Sequence, residues 1–138
     1  MPSDIEQVKA QSVQRAASKR ATLEGLRAKK RKSSELELVI DGEVTTFALR
    51  ANGAREYDRL ITENPPNLEQ RAQGQTYNLN TFAPALLAQV VIDPSLTPEQ
   101  WGEIWGSPDW NRGELMTFFS EAVELCNKGL DLGPTARG

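Results

Sequence analysis

A chain of 138 residues is long enough for one domain and a tail. Its longest apolar run, residues 83–91 broken by Gln89, is too short to cross a bilayer, and its start lacks the basic-then-apolar order of a secretory signal. A single cysteine, Cys126, excludes an internal disulfide framework, and the absence of histidine removes the commonest general base and metal ligand.

The net charge of −3 conceals an uneven distribution. Residues 1–32 carry nine Lys or Arg against three Asp or Glu, whereas residues 33–138 carry seven against sixteen. The sequence therefore divides into a basic leader, residues 1–34, a domain over residues 35–129, and a short tail, residues 130–138. The leader is rich in good helix formers, with Ser3 and Glu6 spaced as a capping box. Its apolar positions, Ile5, Val8, Val13, Ala16, Leu23 and Leu26, are too sparse for a buried stripe. It reads as a marginal helix or tail ending in Arg27, Lys29, Lys30, Arg31 and Lys32. Such a run is either a nucleic-acid patch or a solvated linker. The lack of interleaved aromatics favours the linker.

A β-hairpin follows. Residues 35–40 alternate, Asp41-Gly42 turns, and residues 43–49 return; Asp-Gly suits a type I′ turn, which needs positive φ at both central positions. Leu36, Leu38 and Ile40 share one face, and Val44 and Phe47 fall on opposite faces. An unpaired edge of such a hairpin is open to strand addition. Asn52 then caps a helix carrying Tyr57, Leu60 and Ile61, which Asn64-Pro65-Pro66 stops. Residues 67–78 read as a polar surface loop with at most one helical turn after Asn67.

Residues 80–128 hold all three tryptophans and three of the four phenylalanines, and this stretch supplies the core. It divides into three helices. In the first, Asn80 or Thr81 caps, Pro84 falls in the first turn, and Phe82, Ala85, Leu86, Gln89 and Val90 form the stripe. In the second, Thr97 caps, Pro98 starts the helix, Gln100 completes a capping box, and Gly106 ends it. Trp101, Ile104 and Trp105 share its apolar side. In the third, Asn111 caps with Glu114, and Leu115, Phe118, Phe119, Ala122 and Cys126 form the inner face. Glu114, Thr117, Glu121, Glu124 and Lys128 form the outer one, and Gly129 supplies the C-cap. Residues 92–96 and 107–110 are short linkers that keep these helices neighbours. The expected fold class is α+β, mainly α: a basic N-terminal helix or tail, one β-hairpin, and a small bundle of about four helices.

Chemistry is sparse. No phosphate-binding glycine loop, nucleophile elbow or metal-ligand spacing occurs. Cys126 has no histidine to activate it, and the Glu121 and Glu124 carboxylates lie on a solvated helix face. The expectation is a binding protein with no enzymatic activity and no cofactor. Phe82, Leu86, Trp101, Trp105, Phe118 and Phe119 are expected to carry most of the stability. Any of them left exposed is a first candidate for a partner surface.

The order Tyr57-x-x-Leu60, Asn64-Pro65-Pro66, Asn80-x-Phe82-x-x-Ala85-Leu86-Leu87-Ala88, Asp93-Pro94-x-Leu96-Thr97 and Trp101 resembles the tail assembly chaperones of long-tailed actinobacterial phages. A final amphipathic helix ending in asparagine, here Asn127, belongs to the same pattern. The resemblance spans residues 35–129, with Asn64 standing where the family has histidine. It implies a protein that binds the aggregation-prone tape measure protein before the tail tube polymerises around it. It further implies recruitment of tail tube subunits, action in the host cytoplasm, and absence from the finished virion. A longer form made by ribosomal frameshifting is common in the family, and residues 130–138 are then where the two forms diverge. Self-association is compatible with this role. Membranes play no part in it, and nucleic acid is not an expected partner. The alternatives are a structural tail component that completes a sheet between subunits, and a nucleic-acid-binding accessory protein using the leader.

Overall fold

The computed structural model describes residues 18–134, which fall into two units divided between Lys30 and Arg31. The first contains one short helix, α1 (Leu23–Arg27). Thr22 caps it, its Oγ1 accepting the Gly25 N–H at 3.0 Å. Leu23 and Leu26 are exposed, and α1 buries no residue. The Ser3 capping box and the apolar positions before Ala16, with Ala16 itself, lie outside the described residues.

The second unit is mixed α and β and mainly helical, as the patterning predicts. Its hairpin joins β1 (Ser33–Ile40) to β2 (Glu43–Arg50) in unbroken antiparallel register, with Leu36 opposite Phe47 and Leu38 opposite Thr45. Asp41 and Gly42 take φ of 51° and 84°, the left-handed pair that a type I′ turn demands. The strand starts at Ser33, two residues earlier than the alternation suggests. Lys32 lengthens the ladder further, its carbonyl accepting the Ala51 N–H at 2.8 Å.

Then follow α2 (Ala54–Glu63), α3 (Leu68–Ala72), α4 (Leu79–Val90), β3 (Val91–Asp93), α5 (Pro98–Trp105) and α6 (Arg112–Asn127). The strand order β1-β2-β3 places β2 in the centre. The segment expected to be a plain linker after α4 therefore begins as a strand. Val91 pairs with Leu49 and Asp93 with Ala48 across a bulge. Three residues are too few to leave a readable alternation, and only Val91 among them is buried.

Four expectations about helix ends and stripes are corrected. Asn52 does not cap α2: Gly53 does, and its N–H donates to the Glu56 carboxylate at 3.2 Å. Asn52 is instead buried, donating its side-chain amide to Gln89 Oε1 at 2.9 Å and its backbone N–H to Cys126 Sγ at 3.5 Å. It thereby joins the end of the sheet to α4 and α6. The cap of α4 is Asn78 rather than Asn80 or Thr81, so Pro84 lies inside the helix instead of in its first turn. There Pro84 has no N–H to give the Asn80 carbonyl. The buried face of α4 also includes Ala83 and Leu87, while Gln89 is exposed. The arc is wider than one stripe because α4 packs against α2, α5, α6 and β3. Gly129 does not take a left-handed cap conformation, and α6 ends through an extended Lys128.

Other signals read true. Thr97 with Gln100 and Asn111 with Glu114 form capping boxes, and Asn67 with Gln70 forms a third at α3. Asn64, at the end of α2, donates its side chain to the Leu60 carbonyl at 2.7 Å and accepts the Asn78 N–H at 2.8 Å through its own carbonyl. The Asn64-Pro65-Pro66 stop thus ties the end of α2 to the start of α4.

The core is organised by two consecutive rings on α6. Phe118 meets Phe47 edge-on at 5.1 Å, Trp101 at 5.7 Å and Trp110 at 5.7 Å, facing the sheet and α5. Phe119 meets Phe82 at 5.9 Å, Tyr77 at 6.2 Å and Trp105 at 6.3 Å. Phe82 in turn meets Tyr57 edge-on at 5.8 Å and Tyr77 at 4.6 Å. The edge-to-face pairs among these add to burial energy, and the two Tyr77 pairs are tilted. Trp101 Nε1 is buried with no hydrogen-bond partner among the described residues.

Candidate functional site

A partner surface needs side chains that a partner can reach. Of the six aromatic and leucine candidates, Phe82, Leu86, Trp101, Phe118 and Phe119 are buried and serve the core. Trp105 alone is half-exposed. It stands on the rim of a surface groove between the start of α4, the loop before it, and the first half of α6.

The groove consists of two adjoining depressions of about 200 and 340 Å³ that share Leu79 and Met116 as a common wall. Trp105, Asn80, Leu115 and Arg112 complete the smaller one. Tyr77, Phe119 and the backbone turn at residues 74–76 complete the larger. Each wall has a local cause. Gly74, at φ 82°, turns the chain back after α3, and Gln70 holds that turn by accepting the Gln75 N–H at 3.0 Å. This presents Tyr77 beside Phe82. The Trp105 indole N–H donates to Asn80 Oδ1 at 3.4 Å, a long bond that orients the ring along the rim. On α6, Arg112, Met116 and Phe119 follow helical spacing, so the charge, the thioether and the ring line one flank.

The lining offers apolar, aromatic and cationic contacts. Met116 is flexible and polarisable and adapts to varied apolar shapes. Tryptophan, tyrosine and arginine are the residues that most often carry interface energy. Arg112 is exposed and has no salt-bridge partner among the described residues, which leaves it able to engage an acidic group. Burial raises the pKa of the Tyr77 hydroxyl, helped by neighbouring Tyr57, so the phenol stays neutral and retains its donor.

The basic residues are divided between the two units. Arg27, Lys29 and Lys30 belong to the first unit, where the Lys29 ammonium donates to the Lys30 carbonyl at 2.9 Å. Arg31 and Lys32 belong to the second. Arg31 pairs with Glu56 at 3.1 Å, in an exposed pair that contributes little to stability. Lys32 is half-buried at the foot of the sheet.

No group of three or more His, Cys, Asp or Glu among the described residues is placed to hold a metal ion, and no helix there is long and apolar enough to cross a membrane. The Cys126 thiol is shifted upward by burial, partly offset by the Asn52 N–H.

Sequence reasoning found Trp105 but missed Tyr77, Leu79, Arg112 and Met116. Tyr77 sits in a polar stretch whose return onto the core depends on the Gly74 turn. Leu79 was obscured by starting α4 too late. For Arg112 and Met116 a signal did exist: their spacing of four, continued by Phe119, marks a flank of α6 beside its buried face. No family model matches this chain, and no characterised protein or solved structure is significantly similar to it.

Proposed function

We propose that this protein is a tail assembly chaperone of the long-tailed phage type, which binds the tape measure protein and keeps it soluble while the tail tube assembles. The family reading rests on the motif order from Tyr57 to Trp101. The observation that carries the binding role is the groove of Tyr77, Leu79, Trp105 and Met116, an apolar and aromatic surface beside the exposed Arg112. An amphipathic helix of the tape measure lays its apolar face on Leu79, Trp105 and Met116, and an acidic side chain of that helix meets Arg112. In this reading the protein acts by binding rather than by catalysis. It works in the host cytoplasm, recruits tail tube subunits, and leaves before the virion is complete.

The test is co-expression with the tape measure protein encoded in the same genome, scoring the tape measure's soluble fraction. The wild-type chain is expected to raise that fraction and to co-purify. Met116→Glu, which places a charge in the groove, is expected to abolish both at an unchanged melting temperature. Rescue by neither this chain nor a longer frameshifted form overturns the proposal, as does full rescue by Met116→Glu.

A further inference from the structure

Among the described residues, one edge of the sheet, the outer side of β1, has no partner strand. In an antiparallel ladder, alternate residues point their backbone N–H and C=O toward the neighbouring strand and away from it. The Lys32–Ala51 hydrogen bond sets the phase, so Ser34, Leu36, Leu38 and Ile40 face β2. Ser33, Glu35, Glu37 and Val39 point their backbone groups outward. No other described strand pairs with β1, and no described helix of the same unit packs extensively against it. Natural edges are commonly blunted by charged side chains, proline or a bulge. Within Ser33–Ile40 the register is unbroken over all eight residues, there is no proline, and the only charges are Glu35 and Glu37, which select a cationic partner strand rather than an acidic one.

The two faces beside that edge differ in chemistry. On the inner face, Leu36, Leu38 and Ile40 pack on the core yet remain half-exposed. On the outer face, Glu35 and Glu37 are exposed, followed by Val39 at 71% exposure, directly opposite Val44 at 67%. A fourth strand would cover the leucine row with its own inward side chains and set its outward side chains against two glutamates. A second copy of β1 fits poorly. The antiparallel registers with the greatest overlap place Glu35 against Glu37 or Glu37 against Glu37, and like charges directly opposite destabilise a pair.

We propose that the outer edge of β1 is a docking site for an extended segment of another protein that alternates apolar with Lys or Arg residues, added as a fourth strand. Its backbone meets Ser33, Glu35, Glu37 and Val39, its apolar residues cover Leu36 and Leu38, and its cations pair with Glu35 and Glu37. The site is separate from the groove and does not depend on the tape measure reading.

The test uses the full chain and three short synthetic peptides: one alternating lysine with valine, one alternating glutamate with valine, and a scrambled lysine–valine peptide without alternation. Amide hydrogen exchange is read residue by residue. The alternating lysine peptide is expected to slow exchange at Glu35, Glu37 and Val39, without changing Leu36 and Leu38, which β2 already protects. Two cross-strand ion pairs in place of two like-charge pairs should make it bind roughly tenfold tighter than the glutamate peptide. The variant Glu35→Lys/Glu37→Lys alters only exposed side chains and is expected to reverse that preference. Glu37→Pro removes one outward N–H and is expected to abolish binding; should it fail to fold, the charge-reversal pair still decides. The proposal is overturned if no peptide slows those amides, if the scrambled or glutamate peptide binds as well, or if protection instead grows with protein concentration alone, which would assign the edge to a second copy.

Discussion

Helix α4 and strand β1 both present leucines to the same core, and they bury them to very different degrees. Leu86 and Leu87 of α4 are sealed, at 0% and 1% exposure. Leu36 and Leu38 of β1 are left half-open. The cause is the number of neighbours. Around α4 stand α2, α5, α6 and β3, whereas β1 has β2 on one side and no described strand on the other. Stability is therefore concentrated in the helix, and the surface available for recognition is concentrated where packing stops.

The sharpest way to break this contrast is Phe82→Ala. That ring is fully buried among Tyr57, Tyr77 and Phe119, and its loss should cost about 3–5 kcal/mol in denaturant unfolding. Leu36→Ala should cost less, about 1–2 kcal/mol, because part of that side chain is already in water. Equal losses at the two sites would mean that the edge of the sheet is as tightly held as the helix. Asn111→Ala removes the Oδ1 that accepts the Glu114 N–H at 2.9 Å and should cost about 1 kcal/mol, read as a lower melting temperature.

A pH titration probes the inner end of the same core. Burial favours the neutral Cys126 thiol, so the folded chain holds this proton above the ordinary thiol range of about 8.5 while the unfolded chain releases it. Stability is expected to be insensitive to this group below that range and to fall as pH rises through and beyond it. Cys126→Ala should flatten that part of the decline, and Tyr77 should sustain the rest at higher pH. The smallest effect belongs to Val39→Thr on the exposed outer face, expected within about 0.5 kcal/mol of wild type.

The elements that could be read in advance were those whose signals are local. Asp41-Gly42 dictates its own turn, and Thr97 and Asn111 each satisfy an N–H three residues on. What escaped was decided at a distance. Val91–Asp93 becomes a strand only because β2 offers a partner. Asn52 looks like a cap, yet it is Gly53 whose N–H donates to the Glu56 carboxylate, and Gln89 and Cys126 draw Asn52 inward. Pro84 suggests a helix start, but Asn78 begins the helix earlier and the core absorbs the ring. The groove was half legible for the same reason. Trp105 stands beside its own helical pattern, whereas Tyr77 reaches the site through a loop.

The tryptophans give the molecule an optical consequence. An excited indole emits at shorter wavelength in a dry, unbonded setting and at longer wavelength where water or a hydrogen bond reaches it. Trp101 is 2% exposed with its N–H unpartnered, so it forms the blue edge of the emission and reports the intact core. Trp105 is half-exposed, bonded to Asn80 and set on the groove rim, so it contributes to the red side together with the half-exposed Trp110, and a change there on adding a partner reports what enters the groove. One spectrum thus separates a variant that has lost its fold from one that has lost only its partner.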